Sequence, residues 1–410
     1  MPVLSVSWGV QETMLNITND SASAHDLSLN GLGGQTPDYS LFATPLLYIT
    51  ITVTFFYVFV LTFGIFGNIM VIFVVFKNKD MRNSTNLFLV NLTVADLLVL
   101  VVCTPIALAE FYNKDVWYLG AGMCKFVPFL ENTVAHASAL TILAISMERY
   151  FAICHPLHAP VLWTGRCLMK LLVLVWSFSS LVSIPFLFIA EVKEAEAYDR
   201  TLVKVCSTAI VHRWHQVYVI SISVIFLIIP FFLMMVLYGI VGKKLLYDRC
   251  ALGNQIDEKA MSTLRCRRQV VLMLVSVTVV FFLCSLPFRV VSLWFVYAQL
   301  SDLADLGLIG YYLLISFARI MLYINSAINP ILYNAISSKF RRAFKQLLLM
   351  YFSCECCDPD EIEDRQTPCL GIGPQGFQTS NVQIDYYSQS KQRVDRYDFR
   401  LQVQSQFPLE

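Results

Sequence analysis

Not one lysine or arginine precedes Lys77 in this 410-residue chain, and only 14% of its residues are charged, against 57% hydrophobic. So little charge cannot cover the surface of a soluble protein of this length, and a mean hydropathy of +0.61 points to a bilayer as the solvent. A net charge of +1 lacks the basic excess that nucleic-acid binding requires, so no nucleic-acid partner is expected. Paired cysteine motifs of a metal site are also missing: C-x-x-C spacing occurs once, at Cys354 to Cys357, with no second pair to complete a site, and Cys103, Cys124 and Cys284 sit inside apolar runs, where a thiol behaves as a small hydrophobe. No metal cluster and no nucleophile with a paired base stands in the sequence, which argues against an enzyme and against a resident cofactor. The first forty residues have neither the basic nor the apolar segment of a cleavable signal peptide. The first apolar run is therefore expected to act as its own signal-anchor, as a short tail without basic residues permits. Internal repeats or broken helices in matching halves, the mark of a transporter, are absent as well.

What is present is a series of apolar runs long enough to cross about 30 Å of hydrocarbon. They cover 45–76, 84–111, 121–153, 168–190, 215–242, 268–298 and 309–335. Seven such runs predict an all-α fold, a seven-transmembrane helix bundle over 45–335 with its termini on opposite sides. The segment before Lys77 and the link around Asp302 and Asp305 carry no basic residue, whereas Lys77 to Arg82, Lys243 to Arg268 and Lys339 to Lys345 are basic-rich links. By the positive-inside rule the first set is extracellular and the second cytoplasmic. That places the chain in the plasma membrane with its N-terminus outside and its C-terminus in the cytoplasm. Residues 191–213, of mixed charge, become an extracellular loop by alternation. After the seventh run Phe340, Phe344, Leu347 and Leu348 recur at helical spacing beside basic residues, predicting an amphipathic eighth helix on the membrane surface over 336–351. Cys354, Cys356 and Cys357 follow directly and are candidate palmitoylation sites. Residues 352–410 are expected to be a disordered cytoplasmic tail. On the 1–44 tail, Asn16 and Asn19 each begin a glycosylation motif. Asn83 and Asn91 fit the same pattern but fall on the cytoplasmic side and within the membrane.

Ionisable groups inside membrane helices are costly and usually face an interior or a watery cavity. Asp96, among Leu and Val, needs a hydrogen-bonding partner from another helix, a proton or a cation. Glu148-Arg149-Tyr150 stands where the third run meets the basic side, and a local ion pair is its plainest account. The seventh run closes on Asn325-Ser-Ala-Ile-Asn329-Pro330-Ile-Leu-Tyr333, where the proline frees backbone groups that asparagines can satisfy.

Gly67-Asn68, Leu92 to Asp96, Glu148-Arg149-Tyr150, Trp176, Pro230 with Tyr238, Pro287, and Asn329-Pro330 to Tyr333 each occupy a different run in fixed order. In this the chain resembles the rhodopsin-like (class A) G-protein-coupled receptors over about residues 50–350. The resemblance implies that Arg149 is a switch whose pairing changes when the cytoplasmic face opens to a heterotrimeric G protein, with Tyr238 and Tyr333 as its active-state partners. It implies that Pro230, Phe281 and Pro287 take part in that movement. Asp96, Ser138, Asn325 and Asn329 match the family's pocket for an allosteric sodium ion, and Cys124 and Cys206 match its disulfide. Two cysteines facing an oxidising compartment are compatible with that pairing without proving it. Arrestin and a receptor kinase are further partners the family implies, alongside membrane lipid. The sequence departs from the family at Ser285, where a tryptophan usually packs beneath the ligand, and Phe281 or Phe288 is expected to take over that role.

Glu131, Arg289 and Arg319 place three charges in the extracellular half of the bundle. Two arginines favour a ligand bearing carbonyl, amide or carboxylate oxygens; the plainer account pairs Glu131 with Arg289 or Arg319. Lys79 to Asn86, Phe126 to Ala137, Pro287-Phe288-Arg289 and Arg319 to Asn325 resemble the thyrotropin-releasing-hormone, ghrelin and ecdysis-triggering-hormone receptor group. That resemblance implies a neuropeptide ligand, short and amidated, contacting Arg319, with coupling through Gq. Asn132 and Phe288 stand where the group has ligand-contacting tyrosines. A small amine or lipid ligand on the same fold is the alternative.

Overall fold

A computed structural model describes residues 40–113, 116–156, 165–196, 202–210, 212–252, 258–298 and 300–352. Seven helices in it are long and apolar enough to cross a membrane: α1 Leu47–Lys77, α2 Ser84–Tyr112, α3 Gly120–Cys154, α4 Gly165–Ile189, α5 Arg213–Cys250, α6 Ala260–Tyr297 and α7 Ile309–Ile336. They coincide with the apolar runs to within a few residues except at the end of α5, which runs eight positions past 242, and at the start of α6, which begins eight positions before the run at 268. There the helix continues through Arg265, Arg267 and Arg268, because hydrophobicity marks where hydrocarbon begins while hydrogen bonding carries the helix on into polar surroundings.

Burial follows what a lipid solvent dictates. Large apolar side chains of α1, Phe55, Phe59, Phe63, Phe66, Phe73 and Phe76 among them, point outward and are exposed, whereas polar residues such as Asn68, Thr93, His136 and Glu148 are buried. With no hydrophobic force between helices in lipid, small residues let backbones close up. A Cβ on Gly64 would sit 2.8 Å from Leu100 Cδ1 and 3.0 Å from Ala327 Cβ, and one on Gly67 would sit 3.0 Å from Pro330, so α1 is pressed against α2 and α7. Asn68 clips the same junction by donating to the Gly64 carbonyl at 2.9 Å and to the Ser326 carbonyl at 2.8 Å. The largest core cluster joins Phe88, Leu89, Ile145, Met234, Leu274, Phe281 and Tyr333 at the end of the bundle where α7 terminates.

Two π-turns, Val99–Cys103 in α2 and Val224–Ile228 in α5, insert an extra residue per turn. Pro128 lies inside α3, and its carbonyl receives the side-chain amide of Asn132 at 2.9 Å. Gly307 takes φ +70°, a conformation glycine adopts at no steric cost, and separates the leading turns from α7 proper.

An eighth helix, α8, runs Ser338–Phe352, two residues later than the predicted start. Its apolar face buries Phe340, Ala343 and Leu347 while Arg341, Arg342 and Lys345 stay exposed. The segment expected as a plain loop, 191–213, holds an antiparallel hairpin, β1 Glu191–Glu196 with β2 Leu202–Ser207, in which Glu191 faces Ser207 and Val192 faces Cys206. The mixed charges hid it: Glu191, Lys193 and Glu194 are exposed strand residues, and only the Val205 to Ser207 end is buried. A Cys124–Cys206 disulfide ties β2 to the start of α3, and the Trp117 amide donates to the Lys204 carbonyl at 2.7 Å.

Candidate functional site

Polar residues inside the bundle fall into three tiers. In the tier nearest the hairpin, Arg319 of α7 donates to Glu110 of α2 across 3.0 Å, a buried ion pair. One turn further along α7 the Tyr323 hydroxyl donates to Glu131 of α3 at 2.8 Å, and the Tyr57 ring of α1 packs edge-on against Tyr323. This corrects the expected pairing of Glu131: its partner is a tyrosine, and the guanidinium of Arg319 goes to Glu110. The other Glu131 oxygen, Oε2, is buried with no hydrogen-bond partner. Glu110 was missed in the sequence because it lies at the edge of an apolar run and outside any motif; a carboxylate among Ala107, Leu108 and Phe111 was the available signal.

Arg289 lines a cavity of about 20 Å³ together with Glu131, Asn132, Phe226, Ser285 and Phe288. That is room for about one water molecule. Arg289 makes no ion pair among the described residues, and Asn132 spends its amide on the Pro128 carbonyl. At the cavity floor Ser285 leaves a gap where the expected aromatic would stand. Phe281 and Phe288 both line the cavity with Ser285, and Phe226 of the α5 π-turn, on its α5 side, stacks on His136 of α3 with centroids 4.0 Å apart, His136 being held by Ser183 of α4 at 3.1 Å. Phe281 also packs on its neighbour Phe282, edge to face, and Phe288 joins an α6–α7 cluster with Phe295 and Tyr311.

The middle tier centres on Asp96. Asn329 donates to it at 2.9 Å and Ser326 hydrogen-bonds it too; Ser138 is buried nearby on α3 and Asn325 is half-buried, and neither bonds the carboxylate. Asn91 beside it receives the Trp176 indole N–H at 2.8 Å and donates to Thr141 at 3.0 Å, tying α2, α3 and α4. Asn83 caps the start of α2, accepting from the Asn86 amide at 2.9 Å. Both asparagines thus hold helix contacts, Asn83 at the start of α2 and Asn91 between α2, α3 and α4.

In the tier nearest α8, Arg149 grips its neighbour Glu148 at 2.6 Å and 3.0 Å, and Thr85 of α2 donates to the same carboxylate at 2.9 Å. Tyr238 of α5 bridges Ser146 of α3 at 2.7 Å and Thr278 of α6 at 3.1 Å. Tyr333 stacks near Phe340 of α8, and its buried hydroxyl has no partner. Tyr150 turns outward to His155 at 3.1 Å. Pro230, Pro287 and Pro330 lie within α5, α6 and α7. Arg149 is therefore held by α2 and α3, with the three helices around it fastened together by the Tyr238 hydroxyl.

The family described as the seven-transmembrane receptors of the rhodopsin family matches residues 67–333. The chain belongs to that family. It is 34% identical to the thyrotropin-releasing hormone receptor of Gallus gallus over 72% of this chain and 76% of the relative. It is 32% identical to the growth hormone secretagogue receptor type 1 of Sus scrofa, over 82% and 92%. Against neuromedin-U receptor 2 of Rattus norvegicus it is 32% identical, over 74% and 76%. The receptor is a multi-pass membrane protein and not an enzyme. Of the residues predicted for its site, the fold brings Asp96 to Asn329, Cys124 to Cys206 and Glu148 to Arg149, and sets Glu131, Asn132, Phe288 and Arg289 around one cavity. Arg319 pairs with Glu110 and does not line that cavity. Asn16, Asn19, Cys354, Cys356 and Cys357 lie outside the described residues, as do the greater part of the 1–44 tail and all but the first turn-end of 352–410.

Proposed function

We propose that this receptor responds to a short, amidated peptide reaching the bundle from the hairpin end, which faces the outside of the cell, and that it signals through a heterotrimeric G protein of the Gq class. The observation that carries this reading is the buried polar cluster of the hairpin tier. Arg319 is paired with Glu110, Tyr323 with Glu131 and Tyr57, Arg289 lines one cavity with Glu131, and one Glu131 oxygen is buried without a hydrogen-bond partner. Burying such groups is costly unless something satisfies them, and a backbone amide supplies both donors and acceptors. Relatives named for a releasing hormone, a hormone secretagogue and neuromedin-U support the same class of ligand. At the α8 end, Arg149 released from Glu148 would meet the G protein, with Tyr238 and Tyr333 able to turn toward it. Arrestin and a receptor kinase would engage the same face.

A cation suits the middle tier. Asp96 is buried, receives hydrogen bonds from neutral side chains and has no basic partner among the described residues. Ser326, Asn329 and Ser138 would hold a sodium ion there with it, and the ion would supply the positive charge that the carboxylate otherwise lacks. Calcium release in cells expressing the receptor, screened against a library of amidated neuropeptides, tests the function. A peptide that releases calcium only in expressing cells supports it; responses confined to amines or lipids would overturn it.

A further inference from the structure

Between α1 and α2, at the hairpin end, the helices part and leave a groove open to the bilayer. They touch at Gly64, where a Cβ would come within 2.8 Å of Leu100, and meet again where the Tyr112 hydroxyl lies 2.6 Å from Thr54 Oγ1. The groove between these contacts has a volume of about 290 Å³ and is walled chiefly by Tyr57, Val58, Leu61, Pro105, Leu108 and Tyr112. Val58, Pro105, Ala109 and Tyr112 are exposed, so its mouth faces hydrocarbon. At a rise of about 1.5 Å per residue, Leu61 lies about 24 Å and Thr54 about 34 Å along the axis from Lys77 at the other end of α1, against about 30 Å of hydrocarbon. The apolar walls therefore lie in the hairpin-side leaflet and the hydroxyl pair at its interface with water. Thr54 gives its single hydroxyl hydrogen to the Thr50 carbonyl at 2.7 Å, so the hydrogen between Thr54 and Tyr112 comes from Tyr112. The phenol oxygen is left as an acceptor at the rim of an apolar groove with no basic residue in its lining.

We propose that this groove binds a membrane sterol, whose hydroxyl donates to Tyr112 Oη and whose rings lie along Tyr57, Pro105 and Leu108. Three features select that class. An apolar cavity of about 150 Å³ accommodates a single benzene ring, and this groove offers about 290 Å³ with one side open for the remainder of a larger fused-ring body. The lone acceptor calls for a donor, which a sterol hydroxyl supplies; the phosphodiester of a phospholipid has only acceptors, and a charge that no lining residue balances. A rigid ring system also gives up little conformational freedom on binding, unlike a flexible acyl chain. Tyr57 carries the site inward: the ring that walls the groove packs edge-on against Tyr323, whose hydroxyl holds Glu131. A seated sterol thereby props Tyr57 against α7.

The test labels the full-length receptor, in phosphatidylcholine nanodiscs, with a photoreactive diazirine analogue of cholesterol and maps the labelled peptides. Label is expected on residues 57–61 and 104–112, displaced by excess cholesterol. Cholesterol methyl ether keeps the rings and loses the donor, and is expected to compete about 3- to 10-fold less well, the effect of one hydrogen bond. Tyr112→Phe is expected to abolish that difference between the two competitors. Hexadecanol has the donor on a flexible chain and is expected to compete more weakly than cholesterol. Ala109→Trp fills the groove from its lipid-facing side and is expected to lower its labelling by about tenfold; Val58→Trp fills it from α1 and serves in its place should that variant not fold. Label spread evenly over the lipid-facing helices, or groove label that survives both tryptophans, would overturn the proposal. Equal competition by cholesterol and its methyl ether would overturn it by showing that the acceptor goes unused, and equal competition by hexadecanol would assign the groove to a chain lipid instead. No ligand of the polar tier enters this test, so its outcome is independent of the peptide reading.

Discussion

Removing Arg319 would leave Glu110 as an uncompensated buried charge, so Arg319→Ala is expected to destabilise the receptor by about 3–5 kcal/mol, well beyond the loss of a ligand contact. Adding Glu110→Leu to it should recover much of that loss, and a double-mutant cycle on thermal unfolding in detergent measures the coupling. Independent, additive effects would show that the pair does not hold the helices. At the other end, Glu148 is what keeps Arg149 in place, together with Thr85. Glu148→Ala should raise agonist-independent nucleotide exchange on a co-purified G protein several-fold, with Thr85→Val giving a smaller rise; basal exchange at the wild-type level in both would sink the idea. Asp96, Glu131, Glu148, Arg149, Arg289 and Arg319 were legible in the sequence as charges inside apolar runs, whereas Glu110, at the edge of one, was not. Which partner each would choose was not legible either. Glu110 and Arg319 are 209 positions apart, and only the rotation of α2 and α7 about their axes decides that Arg319 meets Glu110 and not Glu131.

Helices were the most legible elements because a span of fixed length must satisfy all its backbone groups within itself. The hairpin was less so: two exposed strands carrying alternate charges look like any polar loop, and their pairing depends on a tether 82 residues away in sequence. Closing a loop of that length is worth about 4–5 kcal/mol in the chain-entropy account. Cys206→Ser is accordingly expected to lower the unfolding temperature and to free β1 and β2 for rapid amide exchange while α1 and α7 stay protected. Protection of the hairpin unchanged by the substitution would show that Trp117 and the Val116–Val205 bridge suffice. Between helices, Gly64→Val should cost about 1–3 kcal/mol by forcing α1 away from Leu100 and Ala327, read as reduced surface expression and a lower unfolding temperature. The π-turns left no trace in the hydrophobic pattern, since one added residue in a continuously apolar run changes no local average.

For the molecule as a whole, the proposed orientation rests on where the lysines and arginines lie, and it can be checked directly. An epitope fused before residue 1 should bind antibody on intact cells, and one fused after residue 410 only after permeabilisation; the reverse pattern would invert every assignment of outside and inside made above. The seven crossings and their order were fully legible, because hydrocarbon thickness leaves few ways to distribute so many apolar residues. The shape of the ligand chamber was not, because it depends on where individual helices are wound more loosely. That looseness has a lineage consequence. The α5 π-turn at Val224–Ile228 carries one residue more than a regular turn needs, and each residue of a helix accounts for about 100° of rotation. Deleting a single codon there would regularise the helix and swing Trp214, His215 and Tyr218 by about that angle while Pro230 and Tyr238 kept their places. A descendant gene could thus acquire a new ligand-facing wall in one small step, its G-protein machinery untouched.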